Sequence, residues 1–133
     1  MVSDELRALA TSGSFATLTT LLPDGRPMAQ VMWIDCDDEH VLINTELHRQ
    51  KFKNIEGDPR VVVCIVDKDD PYHFIEVRGD VVDIVRGDPA RRHIDELAMR
   101  YFGRLYDGES IQSERVQLRI RPDSTKVHGG AGH

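Results

Sequence analysis

The sequence predicts a mainly β protein, an antiparallel barrel with a few helices packed outside it. The tetrapeptide PDGR at 23–26 separates two strand-like segments, and Asp-Gly in that position is the strongest short signal for a hairpin. The segment RVVVCIVD at 60–67 is an unbroken, largely β-branched run, which is typical of a strand buried on both faces. Because the predicted strands follow one another through short turns, antiparallel pairing is favoured over a doubly wound sheet.

The first third of the chain alternates strand-like segments with turn signals. Ser3 is expected to cap a short helix that carries Asp4 and Glu5 in its first turn. Strands are expected at 15–22, 27–35 and 40–45. The acidic segment DCDDE, which includes Cys36, is expected to form the turn before the third strand.

Two further helices have clear start and stop signals. Thr45 is expected to cap the first, which ends at Gly57 because Pro59 cannot continue it. Asp88 is expected to cap the second, with Pro89 at its first helical position, and Gly103 is expected to end it. Its apolar residues recur at the spacing of one helix face: Ile94, Leu97, Ala98, Tyr101 and Phe102.

The remaining strands are expected at 72–85 and 114–122. Gly79 interrupts the first of these and predicts a bulge or a close backbone approach. In the second, Val116 and its alternate neighbours are expected to face inward, and Arg115 outward. We expect one domain over residues 1–133, with a flexible tail at 123–133.

Composition restricts the class of protein. A chain of 133 residues, 40% hydrophobic and 30% charged, has the size and balance of one globular domain. The net charge of −6 argues against general affinity for nucleic acid or for an anionic membrane. The N-terminus has no signal-peptide pattern and no apolar run is long enough to span a membrane, so a cytoplasmic location is expected.

One basic cluster stands out in this acidic chain. Arg49, Lys51 and Lys53 lie within TELHRQKFKNIEGDPR with no acid between them. A helix start offers free backbone N–H groups and a partial positive charge, so it can bind an anion that Arg49 and Lys51 also grip. Alternatively, Arg49 and Lys53, four residues apart, form a solvated helix face. The spacing alone does not choose between the two.

Other chemical signals are weak. The six histidines form no HExxH motif and no pair at helical spacing, so no metal site is expected. No GxSxG, GxGxxG or phosphate-binding P-loop pattern occurs. Trp33, the only tryptophan, is expected in the core or a dimer interface, or in contact with a ligand.

Three segments in order resemble the split β-barrel flavin and deazaflavin oxidoreductases, the superfamily of pyridoxamine 5′-phosphate oxidase. FATLTTLLPDGRPMAQVMWID is similar to the first hairpin of that superfamily, and FIEVRGDVVDI to a later strand with its glycine. Between them, HVLINTELHRQKFKNIEGDPRVVVCIVD is similar to its R-x-K-x-x-N-[LI]-x-x-[DN]-P-R-V segment. The resemblance covers residues 12–85 well and the remainder loosely.

The resemblance implies a split antiparallel barrel that binds coenzyme F420 or FMN at a homodimer interface. It implies that Arg49 and Lys51 hold the cofactor phosphate. The other residues it brings near the cofactor are Gln30, Met32, Trp33, Asn44, Thr45, Lys53, Asn54 and Arg60. The short chain lacks the C-terminal signature of the vitamin B6 oxidases and looks more like the F420 branch, with FMN as the alternative.

The reaction that the resemblance implies is hydride transfer from reduced F420 to a small organic acceptor. The cofactor carries that chemistry, so the absence of a recognisable catalytic dyad is expected. The resemblance assigns no catalytic residue. His73 and Tyr72 are candidate proton donors, and a structural or surface role is the alternative for each. A non-catalytic module that binds a cofactor or a tetrapyrrole is an alternative from another functional class.

Overall fold

The structure, a computed structural model, describes residues 1–129. That part of the chain forms three α-helices and seven strands. In chain order they are α1 (Asp4–Ala10), β1 (Phe15–Leu21), β2 (Pro27–Trp33), β3 (Asp35–Cys36), β4 (Val41–Glu46), α2 (Gln50–Gly57), β5 (Arg60–Val66), β6 (Phe74–Val85), α3 (Asp88–Phe102) and β7 (Arg115–His128).

The seven strands make one antiparallel sheet in the order β2-β1-β5-β6-β7-β4-β3. The sheet curls until β2 contacts β4, although no backbone pairing joins these two strands. The result is a half-barrel that is open along one seam. The predicted antiparallel, mainly β architecture with outer helices is confirmed.

Alternate strand residues and the helices fill the inside of this curl. Ala16 and Leu18 of β1 face inward beside Val63 and Ile65 of β5, and all four are at most 1% exposed. Each large aliphatic side chain buried in this way contributes about 1.5–3 kcal/mol. Further core residues come from the other strands and helices: Leu6, Ile43, Phe52, Ile55, Ile75, Val77, Leu118 and Ile120.

The outer face of β5 differs from the prediction. Val62 and Cys64 are partly exposed and Val66 is exposed, so this β-branched strand is buried on one face only. Cys36, which we expected in a turn, is instead buried in β3.

The prediction that Thr45 caps α2 is wrong. Thr45 is buried in β4, opposite Val116 of β7, and α2 begins only at Gln50. The capping residue is Arg49, whose side chain makes no capping hydrogen bond. Pairing with β7 extends β4 through Glu46, so the helix starts later than the sequence indicates.

The last strand is longer than predicted. β7 continues through 123–128, which we expected to be a flexible tail, and pairs with β6 as far as His128 opposite Phe74. The side chains of this segment lie largely at the surface, so its sequence is polar and does not indicate a strand. Residues 130–133 of the expected tail lie outside the described part of the chain.

Gly79 lies at a close approach of β6 and β7. The register shifts between Arg78 and Gly79, where Asp123 of β7 is the extra residue, so the bulge lies on the partner strand and the predicted close backbone approach at Gly79 is confirmed. A Cβ built on Gly79 would lie 2.0 Å from the carbonyl oxygen of Arg121. Only glycine fits against this backbone.

We therefore expect Gly79→Ala to lower the free energy of unfolding by more than about 2 kcal/mol, because the main chain of β7 must move to admit one methyl group. Urea unfolding measures this change. Gly57→Ala is the matched control, since a Cβ there meets nothing within 4 Å. Equal stability of the two variants would contradict the close approach at Gly79.

Candidate functional site

A cleft of about 560 Å³ lies along the open seam of the barrel. It has the volume typical of small-molecule sites. Its walls come from the edge strand β2, from β4, from the start of α2 and from β7 and the segment before it. The lining residues are Phe15, Gln30, Val31, Met32, Trp33, Asn44, Thr45, Arg49, Lys51, Ile94, Tyr106 and Arg115.

One end of the cleft is strongly basic. The turn that follows β4 brings Arg49 and Lys51 to its wall, at the start of α2. The N–H groups of Phe52 and Lys53 bond to the carbonyl of Arg49, which leaves the N–H groups of Gln50 and Lys51 without an intrahelical acceptor. Such a helix start attracts anions.

Lys51 is the unusual member of this group. It is only 6% exposed and makes no hydrogen bond or ion pair with any described residue. Burial lowers the pKa of its amino group, and the nearby charges of Arg49 and Arg115 lower that pKa further. An ammonium group that opens into the cleft without a protein partner, near the charges of Arg49 and Arg115, favours the binding of an anion.

Arg115 is the cation that sequence reasoning missed. We expected it to face outward, but it is only 9% exposed and lines the cleft. Its Nε donates to Asn44 Oδ1 at 2.8 Å, its Nη1 lies 3.4 Å from Glu46 Oε2, and its guanidinium lies 5.2 Å from the ring centre of Tyr106. No local pattern reveals this, because the pairing of β4 with β7 joins residues far apart in the chain.

Glu46 stabilises the position of Arg115 and of the segment before β7. Its Oε1 accepts the backbone N–H groups of Gln112 and Ser113, at 2.7 and 2.9 Å, while Oε2 faces Arg115. Burial acts to raise the pKa of Glu46, but the two N–H donors and Arg115 outweigh it and leave that pKa lowered. Glu46 is therefore a carboxylate at neutral pH. Its contacts stabilise the protein at this end of the cleft, and its charge is not directed at a bound anion.

The other end of the cleft is aromatic. Trp33 stacks on Tyr101 with ring centres 5.0 Å apart, and the edge contacts of Trp33 are with Phe102 and Tyr106. The Tyr101 hydroxyl donates to the carbonyl of Ser14 and so ties the end of α3 to the start of β1. Phe102 was expected on the buried face of α3, yet it is 60% exposed beside Trp33.

The structure brings seven of the ten predicted cofactor residues to this cleft: Gln30, Met32, Trp33, Asn44, Thr45, Arg49 and Lys51. The other three, Lys53, Asn54 and Arg60, line a separate cavity of about 360 Å³. There Asn54 donates to Thr20 and Arg60 pairs with Asp58. His73 and Tyr72 are not in the cleft lining, and His73 bonds to Asp67.

Two other properties of residues 1–129 bear on function. None of the helices in this range is both long and apolar enough to cross a membrane. The same residues also bring together no group of three or more His, Cys, Asp or Glu side chains able to hold a metal ion.

Fold and cleft together define a class of protein. The family model for pyridoxamine 5′-phosphate oxidase matches residues 2–129, and the chain belongs to this family. No curated protein sequence matches the chain.

Several solved structures are similar to the chain. An F420 reductase is 34% identical with a TM-score of 0.80, over 90% of this chain and 94% of its own. The conserved hypothetical protein Rv2991 from Mycobacterium tuberculosis is 25% identical with a TM-score of 0.77, over 100% and 95%. HutZ, the heme storage protein from Vibrio cholerae, shares the fold at 17% identity and a TM-score of 0.72, over 99% of both chains.

We expect Lys51→Met to stabilise the ligand-free protein by about 0.5–2 kcal/mol near neutral pH, because it removes a buried charge that has no partner. Urea unfolding without added anions measures this. The control is Lys53→Met, an exposed lysine on the same helix, with an expected change within about 0.5 kcal/mol.

The sign of the pH dependence is part of this expectation. The pKa of Lys51 is lower in the folded chain than its ordinary value of 10.5, so the unfolded chain binds more protons between those two values. Wild-type stability then rises with pH in that window, and the advantage of Met shrinks. A Lys51→Met variant less stable than wild type at neutral pH would show that Lys51 has a stabilising partner.

Proposed function

We propose that this protein binds coenzyme F420 in the seam cleft and is an F420-dependent oxidoreductase that reduces a small organic acceptor. The observation that carries the proposal is the buried Lys51, without a partner at the basic end of the cleft. The 34% identity to an F420 reductase over 90% of the chain supports this cofactor among those that the fold accepts.

The basic end suits the phosphate of the cofactor. Arg49 and Lys51 supply two charged donors, and the free N–H groups at the start of α2 supply neutral ones. Each charge-assisted hydrogen bond contributes about 1.5–3 kcal/mol net. Two of them provide much of the roughly 8 kcal/mol that corresponds to micromolar affinity.

The aromatic end suits a flat ring system. Met32 and Trp33 offer apolar and aromatic surface on one wall, and Gln30 offers an amide that can hydrogen-bond to polar ring edges. When bound, F420 supplies the hydride-transfer chemistry. The residues of the chain orient the ring, exclude water and anchor the phosphate, and this assignment needs no catalytic side chain.

FMN is the nearest alternative because it also combines a flat ring with a phosphate. A tetrapyrrole carrier is the alternative from another class, since the fold is shared with HutZ at 17% identity. The described cleft lining contains no histidine or cysteine, so the haem ligands that it offers are Met32 and Tyr106.

We further propose that a second copy of the chain covers the outer face of β1 and β5. Phe15, Val66 and Phe74 are cross-strand neighbours on that face, and the first two are 50% and 37% exposed. Phe15 also lies at the rim of the cleft, together with Val31, which is 68% exposed. The apolar face therefore extends to the entrance of the cleft. A homodimer through this face buries the apolar surface and narrows the entrance of the cleft.

The test of function is a parallel fluorescence titration with F420, FMN and haem, on wild type, Arg49→Ala, Lys51→Ala and Lys53→Ala. We expect wild type to bind F420 most tightly and the first two variants to lose about tenfold or more in affinity, one charge-assisted bond each. Lys53→Ala is the control and should change affinity by less than about twofold, because Lys53 lies at the separate cavity.

Turnover then separates an enzyme from a carrier. Reduced F420 that is oxidised faster when electron-poor acceptors are added supports the reductase. Tight binding without any turnover, or tighter binding of haem than of F420, would show that the protein is a carrier and not a reductase. Unchanged affinity in both Arg49→Ala and Lys51→Ala would refute the assignment of the phosphate site.

The dimer is tested with Val66→Asp, since one buried carboxylate per subunit without a partner opposes association. We expect dimeric wild type and a largely monomeric variant by analytical ultracentrifugation. Val82→Asp is the control: Val82 is 45% exposed on the half of β6 beyond its pairing with β5. Monomeric wild type would refute the proposed interface.

A further inference from the structure

We propose that His93 is a positioning residue of the basic cleft: through Asn44 it fixes the orientation of the Arg115 guanidinium. The inference rests on the proposed function only in taking Arg115 as part of the anion site. The sequence predicted that Asn44 approaches the cofactor. In this proposal Asn44 instead holds Arg115, and Arg115 approaches the cofactor.

A continuous chain of polar contacts connects α3 to the cleft. His93 Nε2 lies 3.0 Å from Asp35 Oδ2, and His93 Nδ1 lies 3.2 Å from Asn44 Nδ2. Asn44 Oδ1 then accepts the Nε–H of Arg115 at 2.8 Å. These four residues are 4–9% exposed, so water competes little for the hydrogen bonds of their side chains.

The neighbours of Asn44 fix which way its amide faces. Its Nδ2 donates to the carbonyl of Ala90 at 2.9 Å, and Arg115 has only donors to offer on the other side. The amide nitrogen must therefore face α3 and the oxygen must face Arg115. Since the same Nδ2 also faces His93, Nδ1 must act as an acceptor and the ring proton must be on Nε2.

Asp35 anchors the far end of the chain. Its Oδ2 accepts the Nε2–H of His93, and its Oδ1 lies 3.1 Å from Nη1 of Arg100. Burial acts to raise the pKa of Asp35, but the hydrogen bond from His93 and the charge of Arg100 outweigh it, so that pKa is lowered. The carboxylate therefore holds His93 in the tautomer that Asn44 requires.

The orientation of Arg115 depends on this chain. Nε and Nη1 are engaged by Asn44 and Glu46, and Tyr106 lies under the guanidinium, while Nη2 makes no hydrogen bond to the described residues. Without an acceptor at position 93, the Asn44 amide loses one of the two contacts that hold Nδ2 towards α3. A rotated amide would present a donor to the Nε–H of Arg115 and release the guanidinium.

Two substitutions at position 93 separate the contact of His93 with Asn44 from its bond to Asp35. His93→Phe removes both ring nitrogens, whereas His93→Asn keeps an acceptor near the position of Nδ1 and loses only the bond to Asp35. His73→Phe is the matched control, because His73 also bonds an aspartate, at 2.9 Å, but lies outside the cleft lining.

The first readout needs no ligand. In NMR of nitrogen-labelled protein, we expect His93 to show a protonated Nε2 and a bare Nδ1, and the Arg115 Nε–H to be protected from exchange with water. His93→Phe should speed that exchange by about tenfold or more, while His93→Asn and His73→Phe leave it near wild type. The opposite tautomer, or unchanged Arg115 protection in a folded His93→Phe, overturns the proposal.

The second readout is F420 affinity in a double-mutant cycle with Arg115→Met. We expect His93→Phe to weaken binding by about tenfold in wild type and by less than about twofold once Arg115 is Met, because both changes remove one contact. Equal losses in both backgrounds would make His93 merely structural and overturn the proposal. If wild type binds no F420, the proposed function fails, and the NMR readout still decides the role of His93.

Discussion

The pairing of β6 with β7 is the constraint on which the rest of this molecule depends. Their register shifts at two places: opposite Gly79, where Asp123 of β7 is the extra residue, and after Val81, where Val82 of β6 is the extra residue. A bulge bends its strand and increases the local twist, so the sheet curls there instead of extending. The curl brings β2 against β4 without backbone pairing, and the cleft lies along that seam. The cleft is thus a consequence of a sheet that bends far enough to face itself but does not close.

The cleft accumulates positive charge in a protein whose net charge is −6. Arg49, Lys51 and Arg115 come from two elements and converge on one end of the cleft, where the only described carboxylate that pairs with them is Glu46. Mutual repulsion and burial make this arrangement unfavourable in the free protein. A bound anion would remove that cost, so the proposed affinity and the stability of the free protein oppose each other at these positions.

Helix α3 contributes to both ends of the cleft. Near its start, His93 contacts Asn44 and through it Arg115, and at its end Tyr101 stacks under Trp33. Both contacts depend on helical spacing, which puts positions eight apart on one face. The basic and the aromatic ends of the site are therefore held by one rigid element, at a separation that the helix determines.

The sequence by itself determined the strand and turn pattern, the helix ends at Gly57 and Gly103 and the glycine at the bulge, because these depend on local conformational preferences. It also predicted that Arg49 and Lys51, two residues apart, lie together, and both line the cleft. Only the tertiary structure decided that α2 starts after Thr45, that Arg115 is buried in the cleft, and that Lys53, Asn54 and Arg60 lie elsewhere. The physical reason is the distance along the chain between the contacting segments. Those outcomes depend on the pairing of β4 with β7 and on the closure of β2 against β4, contacts between segments far apart in the chain that no local spacing encodes.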